Sequence, residues 1–170
     1  MNFTSAIQAA QITCSSQADH VVGCEYISAE WLKVRARYPQ IFNDSDCGTE
    51  VGPGWWPALE TSFQEIVRIL DEKPGLELSI VQIKEKFGGL RFYTDTHQTI
   101  GSKLTDADMS EMRRAIDAAV GQAERRAGHT CEICGEPGKS RATGWIKTLC
   151  DTHHERVIAQ QQEREAQWRA

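Results

Sequence analysis

Cys131-Glu132-Ile133-Cys134 and Cys150-Asp151-Thr152-His153 are two short ligand pairs separated by residues 135–149. A CxxC or CxxH pair lets both side chains reach one ion from a tight turn. Two pairs at this separation supply the four ligands of a closed tetrahedral zinc site. Three thiolates and an imidazole form a soft to borderline donor set, whereas calcium and magnesium require oxygen and an iron–sulfur centre ordinarily takes a fourth Cys. The expected metal ligands are therefore Cys131, Cys134, Cys150 and His153, with zinc as the cofactor. His154 could replace His153, but the CxxH spacing favours His153. Four protein ligands leave no coordination position for water, so the site reads as structural rather than catalytic.

Between the pairs, Gly135 suits a chain that reverses after the first pair. Thr143, Trp145, Ile146 and Thr148 favour strand around a Gly144 turn. Cys150 and His153 then open a polar helix through Glu155, Arg156, Val157 and Ile158, which runs on into a charged, Gln-rich extension from Gln160 to Ala170. Knuckle, hairpin and helix together look like a treble-clef finger.

Upstream, Ser28 followed by Ala29 to Tyr38 predicts a helix ended by Pro39, with Trp31, Val34 and Tyr38 on one face. Residues 43–50 read as a loop. Gly52-Pro-Gly-Trp-Trp-Pro57 leads into an amphipathic helix whose stripe is Leu59, Phe63, Ile66 and Leu70, and Lys73-Pro-Gly75 stops it. Leu76 to Ile83 predicts a strand whose alternation slips between Ile80 and Val81, a bulge signal. Gly88-Gly89 is expected to turn the chain, with Leu90 to Thr94 returning as the partner strand. A third helix is expected from about Asp106 to Ala127, capped by Thr105 with Asp108 three residues on. Its stripe is Met109, Met112, Ile116, Ala119 and Ala123, and Gly128 closes it. Only His129 and Thr130 separate this helix from Cys131, which predicts a docked finger rather than one on a flexible linker.

The fold class that follows is α+β: helices packed on a β-hairpin or small antiparallel sheet, with a C-terminal treble-clef-like zinc finger. The expected division is an α+β domain over residues 1–128 and the finger with its C-terminal helix over residues 129–170. A chain of 170 residues permits one good core plus a small appendage.

The net charge of −5 is uneven, since residues 1–60 carry three Lys or Arg against seven Asp or Glu. Binding to duplex DNA through phosphates asks for a basic face, which the global field does not provide. Around the finger, Arg125, Arg126, His129, Lys139, Arg141 and Lys147 are diluted by Glu124, Glu132, Glu136 and Asp151 and read as a mixed solvated surface. No apolar run approaches a membrane span, and the N-terminus lacks the basic start and apolar stretch of a signal peptide. A cytoplasmic location without membrane partners is expected, where thiols stay reduced.

Two further places invite a functional reading. Lys84, Lys86 and Arg91 bracket the glycine turn beside Phe87, Phe92 and Tyr93, a mixture able to grip a phosphate or stack a base. The simpler reading puts Phe87, Leu90 and Phe92 in the core, with the cations flanking the turn in solvent. Trp55 and Trp56 could anchor a partner, since Trp is enriched at binding hot spots, although one of them is expected to lid the core. Trp55, Trp56, Lys84, Lys86, Arg91 and Tyr93 are thus the candidate ligand- or partner-binding residues. Cys14, His20, Cys24 and Cys47 are too irregularly spaced to argue for a second metal.

GxxxxGK, GxSxG and HExxH motifs are missing, so hydrolase and nucleoside-triphosphatase readings have nothing to stand on. A ββα-metal nuclease needs a His base on the hairpin and an open metal. Lys139 to Leu149 contains no His, and His153 is committed to the closed site.

Gly54-Trp-Trp-Pro57, then Gln82-Ile-Lys-Glu-Lys-Phe-Gly-Gly-Leu-Arg-Phe-Tyr93, then Cys131-Glu-Ile-Cys-Gly-Glu-Pro-Gly138, Gly144-Trp-Ile-Lys-Thr-Leu-Cys150 and His153 follow in an order that resembles a family of small zinc-finger proteins. These are encoded by phages, prophages and bacteria. The likeness runs from about Gly52 to His154 and leaves residues 1–50 outside the pattern. Genes in that setting often encode accessory factors, including inhibitors of host defence, and this is the role the resemblance implies. The expected function is that of a non-catalytic, zinc-stabilised binding protein that captures a host protein or a small anionic ligand. The alternative is a nucleic-acid-binding zinc module.

Overall fold

The computed structural model describes residues 29–42 and 49–169. In chain order the elements are α1 (Ala29–Arg37), β1 (Thr49–Glu50), a 3-10 turn (Pro53–Trp55), α2 (Trp56–Glu72), β2 (Leu76–Lys86), β3 (Gly89–Gln98), α3 (Asp106–Ala127), β4 (Lys139–Thr143), β5 (Trp145–Leu149) and α4 (Asp151–Arg169). The class is mixed α+β. One sheet has the order β1-β2-β3, and β4 pairs with β5 in a second. β2 and β3 are antiparallel, but Thr49 and Glu50, read from sequence as loop, pair in parallel with Ile83 and Lys84. A two-residue strand has no alternation to betray it.

The core is built around Phe63. Its ring centroid lies 5.2 Å from that of Phe42, 5.6 Å from Tyr38, 5.7 Å from Phe92 and 6.2 Å from Trp31, all in edge or tilted arrangements that aromatic quadrupoles favour. Phe63 belongs to the α2 stripe, in which Leu59 and Ile66 are also buried, Leu70 is half-buried, and Ala58, Ser62 and Ile69 widen the buried face. Trp31 and Val34 of α1 are buried as expected, as is Tyr38 just past its last residue. Its continuation is tied to the sheet by Ile80 N–H donating to Ile41 O at 3.3 Å.

β2 alternates through Leu76, Leu78 and Ile80, then slips one register position between Ile80 and Gln82. The slip turns Val81 out to solvent and returns Ile83 to the core, as a bulge does. Ile83 and Leu90 and Phe92 of β3 face inward. By alternation and register, Gln82, Lys84, Lys86, Arg91 and Tyr93 share the opposite face.

The turn differs from expectation by one residue. Lys86 pairs with Gly89, so the two-residue loop is Phe87-Gly88, with φ of 54° and 74°. Positive φ at both central positions is the signature of a type I′ hairpin turn, where Asn-Gly is usual and a bulky residue costs about 1–2 kcal/mol. Phe87 is also 68% exposed, so the expectation that it joins Leu90 and Phe92 in the core is corrected.

α3 spans the expected residues and buries the expected stripe. Its capping box is complete: Asp108 N–H donates to Thr105 Oγ1 at 3.2 Å, and Thr105 N–H donates to Asp108 Oδ2 at 3.0 Å. Gly128 closes the helix with φ of −62°, in right-handed rather than left-handed conformation. Among the described residues no helix is long and apolar enough to cross a membrane.

Candidate metal centre

Each ligand pair is placed by backbone hydrogen bonds. Gly135, at φ of 81°, donates its N–H to Cys131 O at 2.9 Å, while Cys131 N–H donates to Glu136 O at 2.7 Å. The two bonds fold residues 131–136 into a turn that brings Cys134 back over Cys131. The second pair straddles the junction of β5 and α4, where His154 N–H donates to Cys150 O at 3.0 Å and the first helical turn aims His153 back at Cys150.

The donor atoms of Cys131, Cys134, Cys150 and His153 all lie within 4.8 Å of one another. Cys134 Sγ is 3.8 Å from Cys150 Sγ, and His153 Nδ1 is 3.2 Å from Cys150 Sγ and 3.6 Å from Cys131 Sγ. A tetrahedral ion with metal–sulfur bonds of about 2.3 Å has sulfur–sulfur edges of about 3.8 Å, and these three separations lie close to the edges of such a site, so the cluster is compatible with one metal ion. His153, not His154, supplies the imidazole. Burial opposes ionisation of Cys131, but N–H groups of Cys150, Cys134 and Ile133 bring its thiol down to about 6 from the ordinary 9.0. At Cys134 the N–H of Glu136 favours the thiolate. Burial and the neighbouring Cys131 and Cys150 outweigh it and push that thiol up. The thiol that its neighbours push up, Cys134, is the one whose ionisation a shared cation would relieve.

With no family model, no curated protein and no solved structure does the chain show a match.

The centre is fastened to the rest of the molecule at two places. On one side, Gly54 N–H donates to Glu132 O at 2.8 Å and Trp55 Nε1 donates to Thr130 O at 2.8 Å. A Cβ on Gly54 would stand 2.1 Å from Cys131 O, so only glycine admits this approach. On the other side, Thr148 Oγ1 donates to Gly88 O at 2.6 Å, while Glu132 N–H donates to Thr148 O at 2.9 Å. Lys147 Nζ lies 3.1 Å from Glu132 and 3.7 Å from Glu85. The strand that ends at Cys150 thereby holds the β2–β3 turn.

Other candidates separate. Trp55 is fully buried and cannot serve as an exposed anchor, which corrects that reading; Trp56 is half-buried and packs against the core. Lys84, Arg91 and Tyr93 lie together on the outer face of the hairpin with Lys86 beside the turn. Lys84 Nζ is 5.8 Å from the Tyr93 ring centroid, and Lys86 Nζ is 5.5 Å from that of Phe87. Cations of the finger are neutralised: Arg141 and Lys139 pair with Asp151, and Lys147 with two glutamates. Sequence reasoning missed the Thr148–Gly88 and Gly54–Glu132 bonds, which carry no motif; the Gly-Pro-Gly run before Trp55 was the available hint of a close approach. Cys14, His20, Cys24 and Cys47 lie outside the described residues.

Proposed function

We propose that the chain is a non-catalytic binding protein, in which zinc held by Cys131, Cys134, Cys150 and His153 in a treble-clef-like finger fixes the β2–β3 hairpin for an anionic partner. The observation behind this reading is the link between ligands and hairpin. Cys131 adjoins Glu132, whose N–H bonds Thr148 O, and Thr148 Oγ1 bonds Gly88 O in the turn. Four protein donors complete a tetrahedral shell, so the ion's contribution is folding energy rather than an activated water. Lys84, Lys86 and Arg91 then supply the charge that a partner meets. In keeping with the resemblance to phage-borne proteins, that partner is a bacterial host component met in the cytoplasm. Its capture, as an inhibitor of a defence protein or as a sequestered anion, is the biological outcome.

The test is retention of the full-length, zinc-loaded protein on an immobilised polyanion such as heparin across a salt gradient. Replacing Lys84, Lys86 and Arg91 together by Ala should release the protein at markedly lower salt, and zinc removal should do the same. Equal elution of all three forms would contradict the proposal. So would hydrolysis of nucleic acid that persisted in Cys131→Ala protein with its fold intact.

A further inference from the structure

We propose that the turn end of the β2–β3 outer face binds single-stranded nucleic acid, with Tyr93 and Phe87 stacking bases while Lys84, Lys86 and Arg91 hold the phosphates between them. This rests on the anion-binding reading of the hairpin and names its ligand.

Order along the face comes first. Moving toward the turn, successive outward rows carry Tyr93 opposite Gln82, Lys84 opposite Arg91 and Lys86 opposite Gly89, and the exposed ring of Phe87 follows in the turn beside Lys86. An aromatic ring thus stands at each end of a run of roughly 16 Å, and three cations lie between. Alternating rings and cations on an open sheet are what a base-stacking platform requires.

Next, the arrangement opposes folding in two ways, which the ring contacts of Lys84 and Lys86 and the hydrogen bond from Arg91 Nη1 to Leu90 O at 3.0 Å offset only in part. Lys84 and Arg91 are like charges directly across the strands, a destabilising pair. Among the described residues, no carboxylate lies within ion-pair distance of Lys84, Lys86 or Arg91, whereas Lys139, Arg141 and Lys147 of the finger are all paired. Glu50 is the register neighbour of Lys84 and still forms no ion pair with it. Phe87 is the other departure: a large ring, 68% exposed, occupies a left-handed turn position that Asn or Gly fills at less strain. Departures from local rules that gather on one surface mark a functional site.

Exposed ring faces then decide the ligand. Tyr93 is 47% exposed, and ammonium groups of Lys84 and Lys86 rest near the two rings. A base can displace each ammonium from its ring, and the freed lysine moves to the adjacent phosphate. Paired bases of a duplex offer no such face. Farther along the hairpin, Glu77 and Asp95 face the same side and repel phosphate, which confines the strand to the turn end. An acidic protein segment would use the cations but has no need of the rings.

Fluorescence anisotropy with labelled twelve-nucleotide oligo-dT and oligo-U tests the proposal on the full-length, zinc-loaded protein, with a duplex of equal length and polyglutamate as competitors. Single strands should bind at least tenfold tighter than duplex, and three phosphate contacts should set a slope of about −2 for log affinity against log salt. Tyr93→Ala and Phe87→Ala should each weaken binding about tenfold. Phe87→Asn suits the left-handed turn, so it should keep or raise the melting temperature while losing the same tenfold, which separates binding from folding. Binding that depends on Lys84, Lys86 and Arg91 but is indifferent to both rings, or competed equally by duplex or polyglutamate, overturns the nucleic-acid assignment and leaves the anion-binding reading standing. No binding of oligonucleotides or polyglutamate at low salt overturns both.

Discussion

Two hairpins among the described residues are built on opposite terms. β2–β3 rests on a hydrophobic core: Leu78, Ile80, Ile83, Leu90 and Phe92 are buried beneath it, and Phe63 of α2 meets Phe92 edge-on. β4–β5 has little beneath it beyond Thr148 and Leu149, and the helix that follows buries no residue fully. Charges are arranged in the reverse sense. The weakly packed hairpin has its cations neutralised by Asp151, Glu132 and Glu85, while in the well-packed one Lys84, Lys86 and Arg91 have no carboxylate partner among the described residues. A hairpin with a core can tolerate unpaired charges and strain at its turn. One without a core is, on the proposed reading, held by its ligand cluster, and composition alone does not separate the two cases.

Removing the proposed zinc ion should sharpen this contrast most. Structural zinc is worth on the order of 10 kcal/mol, so chelation or Cys131→Ala should abolish amide protection across 139–153 while amides of α2 and central β2 stay protected in hydrogen exchange. Simultaneous loss in both regions would break the distinction. Phe63→Ala attacks the other side: about 3–5 kcal/mol of stability should vanish in urea denaturation with metal content unchanged. Thr148→Val probes the join. It leaves the Gly88 carbonyl without its buried donor, costs about 1–3 kcal/mol, and should speed exchange at the β2–β3 turn without releasing the metal.

The smallest effect lies far from the metal. Hydrogen bonds from the Thr105 side chain and backbone, then Lys73, hold the Asp108 carboxyl at about 2, below its ordinary 3.8. Because the folded form binds the proton less readily, this contribution is complete above about pH 4 and is lost as pH falls toward 2. Melting temperatures measured over that interval should fall less steeply in Asp108→Asn than in the parent.

Much of the architecture was legible where the signal is local. CxxC and CxxH bring ligands together within single turns, the Thr105–Asp108 box lies within one helical turn, and the slip at Ile80–Val81 announces the bulge because strand alternation has a period of two. Tertiary signals were hidden. Glycine is the default for positive φ, so Gly88-Gly89 looked like the turn, and a left-handed Phe87 runs against every local preference. Neither Trp of the 55–56 pair is intrinsically the buried one; the approach of Thr130 and Glu132 to the 3-10 turn selects Trp55. For the candidate site, spacing disclosed the ligands, but not the bonds that carry their influence to Gly88.

Zinc K-edge X-ray absorption on the full-length protein, purified without added metal and quantified by elemental analysis, bears most directly on the central claim. The expected result is one zinc per chain with three sulfur neighbours at about 2.3 Å and one nitrogen at about 2.0 Å. An oxygen ligand in the shell, or protein that folds fully without stoichiometric metal, would contradict it.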